Sequence, residues 1–273
     1  MRTRRRGLTL IEVLIAIVLL GIVGAGITRL LSSQMRFFSR ATNQRDARAV
    51  SRNALNLVRQ ELRMVEPRGI VAAGADSIRV RLPYAMGVYC GANTVTFAPV
   101  DSVVWSMAAY GGYAYRDTTT GAVTTYLAAG TGTLTSGASA TCTGNGITPV
   151  PGGLLWIVQP NVPITTLGAP IFLFQDVTFR FANSTLVPGR TALWRQRAGG
   201  TAEEVAVPFD ATSRFRFYVN GGTVASDTVP GALNTMTGLE LVLRGESERT
   251  PPGSNAPIEA LTRVPIFFRN AVQ

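Results

Sequence analysis

What most limits the architecture open to this chain is its first 28 residues. Arg2, Arg4, Arg5 and Arg6 precede Gly7, and an apolar run then extends from Leu8 to about Thr28. As a helix rising about 1.5 Å per residue, such a run matches the roughly 30 Å hydrocarbon core of a bilayer. The basic flank is expected to stay on the cytoplasmic side, which places the rest of the chain across the membrane. A helix that is apolar all round offers no polar face to water, so the residues after it must build a core of their own.

Glu12 interrupts this pattern. A carboxylate inside an apolar span costs on the order of 2–3 kcal/mol when unpaired, so it marks a functional position with a partner to be found. Cleavage between Gly7 and Leu8 would create an ammonium one helical turn away. At ~4 Å and an effective dielectric of ~20 that attraction amounts to about 4 kcal/mol, enough to offset insertion. The same ammonium could instead meet Glu12 of a neighbouring chain and set how far one helix slides past the next.

A short basic leader ending in glycine, then Leu8-Thr9-Leu10-Ile11-Glu12 and an apolar helix, resembles the class III signal of type IV prepilins and type II secretion pseudopilins. The resemblance implies cutting by prepilin peptidase after Gly7, N-methylation of Leu8, and Glu12 as the assembly carboxylate. Leu8 stands where that family usually carries phenylalanine. An ordinary secretory signal, a twin-arginine signal and an uncleaved anchor share the basic start, but a secretory core is shorter and should not hold Glu12.

The residue types restrict the chemistry. The chain has 273 residues, a formal charge of +10 and no histidine, and all 26 of its basic residues are arginine. No Ser-His-Asp or Cys-His arrangement can form, and there is no histidine metal ligand and no Schiff-base or phosphate-binding lysine. No paired carboxylates stand out either, so the expectation is a non-enzymatic protein without cofactor or metal. Nine arginines lie between Arg29 and Arg68. They read first as the solvated face of a helix. Nucleic acid is a second partner class for such a surface, though the arginines are not interleaved with aromatics.

Cys90 and Cys142 are the only cysteines. In an exported domain they suffice for one bridge, whose loop of ~50 residues would stabilise the domain by roughly 4 kcal/mol. Two buried free thiols are the other reading.

From Arg29 to Glu66 the pattern turns amphipathic. Ala47, Val50, Ala54, Leu57, Val58, Leu62 and Val65 recur at helical spacing, with arginines over most of the remaining surface. Pro67-Arg68-Gly69 stops the helix. Gly21, Gly24 and Gly26 read as ordinary membrane-helix glycines, or as a soft segment that lets neighbouring helices approach. Beyond Pro67 the pattern is β-rich, with strands expected at Ser77–Leu82, Asn93–Pro99, Val103–Met107, Leu154–Val158, Ile171–Phe181, Arg214–Val219, Leu239–Leu243 and Val264–Phe268. The Gly/Thr/Ser/Ala tract between Tyr113 and Pro151 reads as a long loop or short edge hairpins, and Glu248–Pro257 as a second loop.

The fold class expected is α+β. Long helix then sheet resembles the pilin fold, in which the amphipathic half of the helix packs across an antiparallel sheet. The closing segment Thr262–Asn270 resembles the last strand of PilW-like minor pilins and of the minor pseudopilin J. The boundaries expected are a leader at 1–7, a transmembrane and assembly helix at 8–28, its amphipathic continuation at 29–66, and a periplasmic or extracellular head at 67–273. The resemblance implies a minor pilin-like subunit held in the inner membrane and then incorporated into a filament, with other pilins or pseudopilins as partners through the N-terminal helix. A type II secretion minor pseudopilin and a membrane-anchored periplasmic binding module are the alternatives.

Overall fold

The computed structural model describes residues 10–65, 67–116, 124–128, 132–135, 140–158 and 166–268. It opens with α1 (Leu10–Leu62), an unbroken helix of 53 residues, about 80 Å long. Up to Phe38 every described residue of α1 is exposed. From Asn43 upward one stripe is buried: Asn43, Ala47, Ser51, Ala54, Val58 and Leu62, at spacings of three and four. The helix ends at Leu62, four residues before the Glu66 expected from sequence, because its last turn tightens. Met64 N–H donates to Glu61 O at 3.0 Å and Val65 N–H to Leu62 O at 3.1 Å. Glu66 itself lies outside the described residues.

The chain then builds one antiparallel sheet system. Its strands are β1 (Ile70–Ala73), β2 (Ser77–Gly91), β3 (Thr94–Phe97), β4 (Gly112–Arg116), β5 (Thr124–Ala128), β6 (Gly132–Thr135) and β7 (Leu154–Val158). They continue with β8 (Pro170–Asn183), β9 (Thr191–Arg197), β10 (Ala202–Phe209), β11 (Arg214–Val219), β12 (Met236–Glu246) and β13 (Glu259–Phe267). Neighbours run β11-β12-β10-β9-β8-β2-β3-β7-β6, with β13 beside β12, β1 beside β2, and the β4–β5 hairpin on β8. Two short helices, α2 (Ser102–Met107) and α3 (Ala140–Gly144), sit in the connections. The fold is α+β, a long helix packed on a large antiparallel sheet.

Two cores form. The larger lies under α1, where Val58 and Leu62 meet Ile78, Val177, Phe179, Phe215 and Leu241. The second lies toward the far ends of β2 and β8 and is aromatic, with Tyr89, Phe97, Tyr113, Tyr115 and Trp156. At the first interface the helix and β12 touch backbone to backbone. A Cβ on Gly245 would stand 2.2 Å from the Ala47 carbonyl oxygen and 2.5 Å from Ser51 Oγ. That approach explains which residues face the sheet. Asn43 and Ser51 are buried, while Val50 and Leu57 from the expected stripe are only partly covered.

Several strands depart from the sequence reading for identifiable reasons. The segment Val103–Met107, expected as a strand, is α2. Asp101 Oδ1 accepts from Val103 N–H at 2.8 Å and from Val104 N–H at 3.2 Å, so an N-cap overrides the β-branched pair. Strand β2 does not stop at Leu82. It passes through Pro83 at a register shift between Pro83 and Ala85, the kind of bulge that tolerates a missing donor. A hairpin then joins it to β3 through Ala92 (φ 46) and Asn93 (φ 61). The Gly/Thr/Ser/Ala tract contributes the short strands β4 to β6, of which β5 and β6 are edges, as well as α3. Strands β9 and β10 have no counterpart in the sequence reading. Thr191, Leu193 and Arg195 all face inward, and an arginine in an inward position breaks the polar–apolar alternation.

Arg195 is accommodated because Glu61 of α1 comes to meet it. Arg195 Nε lies 3.0 and 3.1 Å from the two carboxylate oxygens, and a terminal nitrogen lies 3.0 Å from one of them. The pair fixes the rotation of the upper helix against β9.

Leu62→Ala, at a fully buried position, should destabilise the folded chain by about 2–5 kcal/mol in chemical denaturation. Gly245→Val should destabilise as much or more, because the helix must lift away from β12. A near-neutral result for Gly245→Val would contradict the backbone contact.

Candidate functional site: the exposed half of the first helix

The exposed half of α1 is the functional candidate because the chain leaves it uncovered. Leu10, Leu20, Met35 and Phe37 are each at least 70% accessible. Over Leu10–Thr28 the apolar surface runs for about 28 Å, close to the thickness of a hydrocarbon core, and from Arg29 to Phe38 apolar residues alternate with Arg29, Ser32, Ser33, Gln34 and Arg36. Among the described residues α1 is the one helix long and apolar enough to cross a membrane, and none of its most apolar stretch is buried. The sequence folds this way because Leu, Ile, Val and Ala satisfy every backbone group internally as a helix, the form that survives without water.

Glu12 lies in the first described turn of α1. Gly7 and Leu8, the residues of the expected cut and methylation, lie outside the described residues. Beyond the helix's own neighbouring backbone, no described atom lies within 4 Å of a Cβ added at Gly21, Gly24 or Gly26. Their surroundings inside this chain therefore do not require glycine. Thr28 folds its hydroxyl back onto the carbonyls of Gly24 at 2.9 Å and Ala25 at 3.0 Å, which hides a polar group at the end of the apolar run.

The cysteines are bonded. Cys90 at the end of β2 and Cys142 in α3 form a disulfide, both sulfurs fully buried and the Cα atoms 4.7 Å apart. Asn145 Nδ2 donates to Cys90 O at 2.7 Å, so the start of the loop after α3 is also tied to β2. The bridge closes a separation of 52 residues and anchors the tract that carries the short edge strands.

Sequence reasoning did not find the acidic group formed by Asp210, Glu246 and Glu259, whose ligand atoms lie within 4.8 Å of one another. Sequence distance hides it, since three separate strand ends supply the acids. Arginines already answer it: Arg190 lies 3.2 Å from Glu246 and Arg244 lies 3.6 Å from Glu259. Burial pushes the Glu246 carboxyl above its ordinary range, with the attraction of Arg190 opposing that. Asp210 is held below its ordinary range, first by the hydroxyl of Thr212 and also by the backbone there and the Arg244 charge. The group is better described as a charge network than as a metal centre.

Comparison with known proteins bears on the N-terminus alone. The family model described as the prokaryotic N-terminal methylation motif matches residues 2–28. This supports a type IV prepilin-like signal covering the leader, Gly7, Leu8, Glu12 and the apolar run. No curated protein and no solved structure matches the chain.

Replacing Cys142 by Ser should lower unfolding free energy by about 2–4 kcal/mol, and reductant should do the same to the wild-type chain but not to the variant. Denaturation with and without dithiothreitol checks this.

Proposed function

We propose that the chain is a non-enzymatic minor pilin-like subunit, cut by prepilin peptidase between Gly7 and Leu8, methylated at Leu8 and incorporated into a type IV pilus-type filament. The observation that carries this is the methylation motif at residues 2–28 running directly into a helix that stays exposed from Leu10 to Phe38. A signal of this kind leaves the helix attached to the mature chain. An apolar surface about 28 Å long then needs lipid before assembly and other helices after it.

In this reading the inner membrane first holds the helix, with the sheet domain in the periplasm. Removal of the leader deletes four arginines from the cytoplasmic flank and leaves a single α-amino group there. The positive charge that resisted translocation is then gone, and Glu12 gains an ammonium partner, either its own or a neighbour's. Assembly exchanges lipid contacts for helix–helix contacts along the same surface, so it requires no large change in the head. A size of about 200 residues for the head fits a minor rather than a major subunit. The motif is shared with type II secretion pseudopilins, and a minor pseudopilin is the same mechanism in a different machine.

The mature native protein should begin at Leu8, with an added methyl group visible in intact mass. An N-terminus at Met1 would sink the proposal. Glu12→Ala should leave membrane insertion intact while lowering the fraction of chain recovered in filaments by about tenfold or more, given an ion-pair attraction of several kcal/mol. Undiminished incorporation would remove the carboxylate from the mechanism.

A further inference from the structure

The upper half of α1 carries a charge pattern that no described residue answers with an ion pair. Arg45, Arg48, Arg52, Arg59 and Arg63 follow one another at spacings of three, four, seven and four. At about 100° per residue they fall on a stripe roughly 60° wide and about 27 Å long, some 120° round the helix from the buried stripe. All five are exposed. Among the described residues none of them takes part in an ion pair. Three neighbouring pairs within the row, 45/48, 48/52 and 59/63, stand at the distances where like charges repel on a helix. The row therefore opposes helix formation and returns nothing within the chain.

Followed downward, the same stripe becomes mostly apolar, through Phe38, Leu31, Leu30 and Ile27, all exposed, with Gln34 the one polar residue among them. A helix lying along the apolar part would continue upward past the arginines. A second copy of this chain cannot serve there. The only acids described on its α1 above Glu12 are Asp46 and Glu61, and Glu61 is already held by Arg195. Five guanidinium groups would instead face five more.

We infer that this arginine row docks a different subunit, through a helix bearing Asp or Glu at the matching three, four and seven spacings. Guanidinium suits such a partner because its planar fork takes a carboxylate in two parallel hydrogen bonds, fixing register as well as proximity. The row thus selects a heterologous neighbour and excludes a copy of itself, so that the chain enters the filament beside an acidic subunit. This rests on the assembly reading of α1. It can fail separately, because the assay below needs no filament and no processing.

The assay uses the full chain in uncharged detergent micelles and two synthetic helical peptides of identical composition. One places five glutamates on a single stripe at spacings of three, four, seven and four; the other scatters them around the helix. The striped peptide should bind about tenfold tighter in fluorescence anisotropy, since only it aligns every carboxylate with a guanidinium. The exposed triple variant R48Q/R52Q/R59Q should lose that preference, and R48E/R52E/R59E should recover it for a peptide with arginine at the facing positions. Equal binding of the two peptides would show a generic polyanion effect and overturn the inference. Short duplex DNA displacing the striped peptide from the wild-type chain would overturn it too, by making the row a phosphate surface.

Discussion

The structure depends on how closely a long helix can approach a sheet. Where Gly245 of β12 passes under Ala47 there is no space for a side chain on the strand. The helix answers with Ala47, Ser51 and Ala54 at that level, and only beyond them presents Val58 and Leu62 to the core. Small residues set the distance and larger ones fill the space that opens further along. The Glu61–Arg195 pair then prevents the helix from rolling, since any rotation would leave a guanidinium of low exposure without its carboxylate.

That seat divides the helix by function. From Asn43 upward one face belongs to the head, and the rest must be compatible with water, which the arginines supply. Below Ser39 no described residue covers the helix, and up to Thr28 its side chains are, Glu12 apart, those that lipid or another apolar helix would accept. The same polypeptide element is therefore domain core and solvated surface above, and an exposed apolar surface of membrane-spanning length below. No hinge separates these roles, because α1 is continuous across them.

The part of the head remote from the helix has a different problem. Strands β3 to β7 surround a second core to which α1 gives none of its buried residues, and large aromatic groups hold it instead. Tyr110 meets Trp156 edge-on at 5.1 Å, and Tyr84 meets Trp105 of α2 in the same manner at 5.9 Å. Burial raises the Tyr84 hydroxyl to about 12, so it stays protonated over the whole physiological range. The disulfide ties α3 to this region, where the Gly/Thr/Ser-rich composition supplies little apolar area. The two cores are thus stabilised by different means, helix packing in one and aromatics with a covalent staple in the other.

Residue pattern alone determined the helix, the membrane-length span, the anomalous position of Glu12 and the general course of β2, β8, β11, β12 and β13. These are local properties: period, length, and one charge among apolar neighbours. It could not determine what depends on partners far away in the chain. Arg195 looks like a surface residue until Glu61 is beside it, and so β9 stays hidden. Val103–Met107 has the composition of a strand, and Asp101 makes it a helix through two hydrogen bonds. Which stripe of α1 is buried was decided by Gly245, some two hundred residues later. Periodicity records which residues share a face, whereas tertiary contact decides which face is covered, because burial is a property of two surfaces and the sequence of either one describes only its own.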